Sequence, residues 1–144
     1  MTSATDPSAQ DFATMGIDEA MIKKFVTHFY NVVHDDEILG PYFHKQMDAT
    51  WDEHLDKMCN FWSAILLKTN RFNGRPMPAH TKLTGLQQSD FLHWLITFEK
   101  SIKACCPATS VPHIMKKAHQ IANSLQYGVF YRPDVMKAKY QLDE

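Results

Sequence analysis

Several features that would place this 144-residue chain in a common functional class are missing from its sequence. There are only three cysteines, two of them adjacent, which is a poor disulfide framework and favours a reducing compartment. No Cys-x-x-Cys-His stretch is present, so covalent attachment of a c-type haem is excluded. No uninterrupted apolar run is longer than Ala64–Leu67, and the first eleven residues lack the basic region and apolar core of a secretion signal. We therefore predict a cytoplasmic protein that does not cross a membrane.

An excess of charge of one sign is also missing. Fifteen Lys and Arg residues face sixteen Asp and Glu residues, which gives no electrostatic case for binding nucleic acid or an anionic membrane. There is no phosphate-binding loop and no nucleophile elbow. The Asp/Glu-x-x-His spacing that di-iron bundles repeat on two helices occurs once, at Asp90 and His93, and no paired Cys or His spacing suits zinc.

The pattern that is present is helical. Apolar residues recur at the spacing of one helix face in four long segments, and no β-alternating run competes with them. We predict an all-α fold with a flexible lead-in over residues 1–17, one domain over 18–128 and a tail over 129–144. The repeating positions begin at Ile22, His54, Phe91 and Ile114.

Local signals predict where these helices begin and end. Asp18 is expected to be an N-cap, and Thr50 with Glu53 has the form of a capping box. The break at Gly40-Pro41 is expected to leave only a short turn before it and to place Phe43 in a corner. Gly128 is expected to cap the last helix.

Polar aromatic residues lie on the apolar stripes. Tyr30, His54 and Trp94 each occupy a position where a leucine would pack without needing a hydrogen-bond partner. Each could be an ordinary core residue, or the three could share one polar site. His80 follows two prolines in a long loop; it is either a surface residue or a metal ligand, since neutral imidazole is a common axial ligand of haem iron.

The chain shares its order and spacing of five residues with a known family: Tyr30, Phe43, His54, His80 and Trp94. From about residue 20 to residue 127 the chain resembles the group III truncated haemoglobins. The residues and stretches that carry the resemblance are Phe29-Tyr30, Asp36, Leu39–Phe43, Trp51, His54, Phe61-Trp62, Asn73–Pro76, His80, Phe91, Trp94-Leu95 and Phe98.

The resemblance implies a two-over-two helical sandwich around one non-covalently bound b-type haem. His80 would be the proximal iron ligand, and Tyr30, His54 and Trp94 would line the distal side. Phe43, Met58 and Phe61 would contact the porphyrin. Lys57 and Arg71 would be competing candidates for binding a haem propionate.

The polar distal side suggests what such a haem protein does. Oxygen bound to ferrous iron becomes partly negative, and a hydrogen bond to a charged group contributes roughly 1.5–3 kcal/mol, so each donor slows release about tenfold or more. This favours tight capture, or redox chemistry on O2, NO or peroxide with an unidentified reductase, over bulk oxygen transport. The alternative is a non-haem, all-α interaction domain whose polar aromatic residues belong to the core.

Overall fold

The structure, a computed structural model, describes residues 7–47, 50–72 and 86–130. Over these ranges the chain is helical and contains no strand, which confirms the predicted all-α class. Six α-helices follow in chain order, with a short 3-10 turn at Ala108–Ser110 before the last one. They are α1 (Ala9–Thr14), α2 (Glu19–Asp35), α3 (Gly40–Met47), α4 (Trp51–Leu67), α5 (Gln88–Cys105) and α6 (Val111–Phe130).

Helix α2 lies at the centre of the described fold. It begins as predicted, because the Asp18 side chain accepts a hydrogen bond from the backbone N–H of Met21 at 2.8 Å. Its apolar stripe is buried against α4 on one side and α5 on the other, and α5 in turn packs on α6. Phe25 contacts Trp62 of α4 and Phe98 of α5 edge-on, with ring centroids 5.9 and 6.0 Å apart. The four long helices therefore share one core, as the two-over-two arrangement requires.

The prediction of a loose lead-in is wrong for the residues of α1. Ser8 and Asp11 form a reciprocal capping box at the start of this helix, and α1 packs against α4. Phe12 and Ile17 are almost completely buried and anchor the segment to the core. Two isolated apolar residues produce no periodicity, so the sequence pattern could not reveal this helix.

The predicted short turn before Gly40-Pro41 is present at residues 37–39, but the prediction that Phe43 lies in a corner beyond the break is wrong. A two-turn helix, α3, begins at Gly40, so Tyr42 and Phe43 are helical. Proline is well tolerated in the first turn of a helix, where its missing N–H needs no partner. Gly40 is required for packing, because a Cβ at this position would lie 2.8 Å from the carbonyl oxygen of His34.

Two predicted caps also differ from the structure. Thr50 does precede α4, but its side chain makes no capping hydrogen bond. Helix α6 continues through Gly128, so this glycine is not its cap. The predicted long loop that carries His80 lies outside the described residues.

Candidate functional site

Three of the predicted site residues meet in one aromatic cluster. Tyr30 of α2 contacts the imidazole of His54 on α4 at 5.0 Å between ring centroids, with the rings perpendicular. Phe43 of α3 contacts both of them, at 5.7 Å from Tyr30 and 5.9 Å from His54. Residues from three separate helices thus surround one phenol and one imidazole with aromatic rings.

Tyr30 is the most deeply buried polar side chain of this cluster. It is 6% exposed, and its ring also packs against Phe29 at 4.9 Å. Burial raises the pKa of Tyr30 well above its usual value of 10.0, because the phenolate would be poorly solvated there. The side chain is therefore a neutral hydroxyl that can donate a hydrogen bond at any physiological pH.

His54 lies on the first turn of α4 and is half-buried, with its Nε2 atom fully enclosed. Met58 and Phe61 follow at i+4 and i+7, so all three share one face of the helix. Both of these apolar side chains are half-buried and pack against the core cluster. This face of α4 combines one polar ring with a strip of partly exposed apolar surface.

Trp94 reaches the cluster through an intermediate ring. It is half-buried on α5, stacks in parallel on Phe98 at 5.3 Å and contacts Phe29 edge-on at 5.7 Å. Phe29 in turn contacts Tyr30. The structure therefore places Trp94 one ring beyond the Tyr30–His54–Phe43 group, on the neighbouring helix.

The two candidate propionate partners have different surroundings. Lys57 is exposed on α4. Arg71 is already engaged: its Nη2 atom donates to Glu19 at 2.6 Å and to the buried hydroxyl of Ser63 at 2.6 Å. His80, the predicted proximal ligand, lies outside the described residues.

Sequence reasoning missed two features around the site. Trp51, the first residue of α4, contacts Tyr30 at 6.4 Å and His54 at 6.1 Å, although no role was predicted for it. In addition, Asp36 pairs with His93 of α5 at 2.8 Å and holds the corner that leads into α3. The single Asp/Glu-x-x-His match drew attention to His93, but its partner is 57 positions away and has no local signal.

The residues around the cluster suit a haem group. A porphyrin presents a broad apolar face, and half-buried apolar side chains follow His54 along one face of α4, namely Met58, Phe61 and Ile65, while Phe43 contacts the phenol and the imidazole directly. The two polar rings supply hydrogen-bonding groups of the kind that control ligand binding on the distal side of a haem. An all-α fold that arranges side chains in this way is characteristic of a haem-binding globin.

Comparison with known proteins gives the family. The chain is 34% identical over 113 residues to the group 3 truncated hemoglobin ctb of Campylobacter jejuni subsp. jejuni, covering 76% of this chain and 89% of that protein. The crystal structure of the group III truncated hemoglobin from Campylobacter jejuni superposes with a TM-score of 0.74 at 32% identity, covering 80% of this chain and 93% of that one. A scan against models of protein families finds no match. The chain belongs to the group III truncated haemoglobins.

This membership confirms the predicted family and fold class and makes the protein a globin of a haem-binding family. Among the described residues, no helix is both long and apolar enough to cross a membrane.

Proposed function

We propose that this protein binds one haem b non-covalently through His80 and holds O2 tightly at a polar site formed by Tyr30, His54 and Trp94. The observation that carries the proposal is the perpendicular Tyr30–His54 contact, buried within aromatic rings from three helices. When bound, the haem supplies an iron centre that takes up O2 or another small ligand. The surrounding side chains set how strongly that ligand is held.

Tyr30 is the principal donor in this proposal. Its hydroxyl stays protonated because burial raises its pKa, and the rings around it exclude water that would compete for the ligand. A hydrogen bond to a partly charged acceptor contributes roughly 1.5–3 kcal/mol. Such a bond is stronger in apolar surroundings than in water. The dissociation rate of a ligand held by this hydroxyl is therefore lower by about tenfold or more.

His54 and Trp94 extend the same site. The imidazole packs on the Tyr30 ring, so a ligand that reaches one of them is close to the other. The Trp94 indole N–H is a donor only, and it suits an acceptor such as bound O2. With several donors directed at one ligand, slow release follows, which favours capture or redox detoxification of O2, NO or peroxide over oxygen transport.

A reductase in the cytoplasm would complete such a redox cycle by returning the protein to its ligand-binding state.

The alternative function, a non-haem interaction domain, makes a different prediction. The absorbance spectrum of the purified protein distinguishes them, because a Soret band that titrates to one haem per chain supports the proposal and the lack of haem uptake contradicts it.

Stopped-flow O2 release from variants tests the donor roles. Tyr30→Phe and Trp94→Phe keep the apolar ring but remove the donor, so each should release O2 about tenfold faster. The double variant should show less than the product of the two effects, because donors on one small ligand share its charge. Tyr127→Phe removes a hydroxyl from a side chain that is 69% exposed on α6, and it should match the wild type. Rates within about twofold of wild type in all three site variants would refute the donor roles.

A further inference from the structure

A row of aromatic and imidazole rings in contact leads from the protein surface to the Tyr30–His54 pair. His34 and His44 stack at 4.1 Å, nearly parallel, at the outer end of this row. Trp51 lies next and contacts His34 edge-on at 5.0 Å. On its inner side Trp51 contacts both Tyr30 and His54. Trp51 thus links His34, near the surface, to the buried Tyr30–His54 pair.

The start of α4 depends on this packing. Trp51 is the first residue of the helix, and His54 follows three residues later. The side chain of Thr50 makes no capping hydrogen bond, so this helix end lacks the stabilisation that a side-chain cap usually provides. Contacts of the Trp51 ring are therefore a main determinant of where the first turn, and with it His54, is held.

The outer support of Trp51 is itself well fixed. The Nε2 atom of His44 hydrogen-bonds to the backbone carbonyl of His34, which joins α3 to the end of α2. The same carbonyl lies against Gly40, where no side chain could be accommodated without a shift. The stacked histidines thus form a rigid outer face for the indole.

We propose that Trp51 is a positioning residue that holds His54 against Tyr30 and closes the solvent side of the ligand site. The inference rests on the proposed function and names the residue that controls access to that site. The indole is half-buried and contacts the buried pair, Tyr30 and His54, as well as His34 near the surface. A ligand approaching the Tyr30–His54 pair from this side must displace it.

The magnitude of the effect follows from the population of the open arrangement. If Trp51 leaves the site open for about a tenth of the time, removing the indole raises the association rate by about tenfold, because the rate scales with the competent fraction. An indole that only fills space would change stability without changing ligand entry.

The test compares Trp51→Ala with Trp51→Phe by flash photolysis of the CO complex. We expect CO association about tenfold faster in Trp51→Ala and within about twofold of wild type in Trp51→Phe, whose ring keeps the contacts. Trp62→Phe is the matched control, because Trp62 lies on the same helix, is 2% exposed and belongs to the core. It should lower stability and leave CO association unchanged. A folded Trp51→Ala protein with wild-type CO association would overturn the proposal, and so would a Trp62→Phe effect of equal size.

A second readout does not depend on haem. In haem-free protein labelled with 13C-histidine, the His54 ring should give one sharp set of NMR signals in wild type and Trp51→Phe. The signals should broaden or multiply in Trp51→Ala, where the ring is no longer held. Failure of wild-type protein to take up haem would refute the proposed function, while the His54 signals would still decide the role of Trp51. Unchanged His54 signals in Trp51→Ala would refute that role alone.

Discussion

The corner between α2 and α3 is held by one carboxylate, and replacing it gives a sharp test of how the site is supported. Asp36 is 17% exposed; its Oδ2 accepts from Nε2 of His93 at 2.8 Å. Its Oδ1 accepts from the backbone N–H of Ile38 at 2.8 Å and of Leu39 at 2.9 Å. The carboxylate therefore connects the corner to α5 and fixes the start of α3, which carries Phe43 to the Tyr30–His54 pair.

Two substitutions of Asp36 separate its contact with His93 from its hydrogen bonds to the backbone. Asp36→Ala removes three hydrogen bonds to a charged acceptor; each is worth roughly 1.5–3 kcal/mol, but rehydration of the donors reduces the sum to about 3 kcal/mol. Asp36→Asn keeps an oxygen for the two backbone donors but presents an NH2 group to Nε2 of His93, so it loses the charge and the hydrogen bond from His93, a net cost of about 1 kcal/mol for this partly exposed pair. At about 3 °C per kcal/mol for a chain of this size, Tm should fall by about 9 °C and about 3 °C, respectively.

The pH dependence gives the sign of the effect. Burial raises the pKa of Asp36, but hydrogen bonds from His93 and from the amides of Leu39 and Ile38 outweigh it, and the pKa lies below its ordinary value of 3.8. A group with a lowered pKa stabilises the fold above its unfolded pKa and loses this contribution as the pH falls through its folded pKa. The difference between wild type and Asp36→Asn should therefore be constant near neutrality and shrink below about pH 4.

Urea unfolding followed by circular dichroism at pH 7, 5 and 3 measures this difference. Asp35→Asn is the control, because the neighbouring carboxylate is 88% exposed and should change stability by less than about 0.5 kcal/mol. Equal stability of Asp36→Asn and wild type at pH 7 would show that the His93 contact contributes nothing. A difference that persists unchanged at pH 3 would show that it does not arise from the charge.

Four further predictions concern the haem ligand, the two contacts of Arg71 and the cysteines. His80→Gly should lose haem on a desalting column and regain a Soret band with excess imidazole; an unchanged spectrum and haem affinity would contradict the proximal assignment. Ser63→Ala should lower the free energy of unfolding by about 1–2 kcal/mol, since its buried hydroxyl donates to Glu19 and accepts from Arg71. The Glu19→Gln change should cost less than about 1 kcal/mol in the same denaturation assay, because that ion pair is half-exposed. Replacing Cys59, Cys105 and Cys106 together by serine should leave the ferric and ferrous spectra unchanged. Loss of haem from this variant would contradict the prediction.

The long helices could be predicted from sequence because their signal is local. The residues that bury α2 recur every three or four positions, and Tyr30 falls on that stripe, so both its burial and its unusual polarity were visible. His54 could be assigned to a helix face for the same reason. Periodicity places a side chain on a face, but it does not say which side chain of another helix it will meet.

The parts that sequence did not predict depend on contacts between distant positions. Helix α1 is held by two isolated apolar residues, Phe12 and Ile17. Helix α3 begins at a glycine followed by a proline, a pair of residues that usually ends a helix. Trp51 occupies the first position of α4 and shares a helix face with His54 and Met58, but periodicity does not show that its ring meets Tyr30 of α2.

The two cations show why a residue's type does not determine its partner. Lys57 and Arg71 are equally plausible propionate partners when only their charge and position in the sequence are known. In the structure Glu19 and the hydroxyl of Ser63 already occupy Nη2 of Arg71, whereas Lys57 is exposed on the helix that carries His54. A half-exposed ion pair is worth at most about 1 kcal/mol, so a propionate could compete for Arg71 only if it offered better geometry than Glu19. The contacts that distinguish the two cations thus include an acidic residue 52 positions away, which no local pattern identifies.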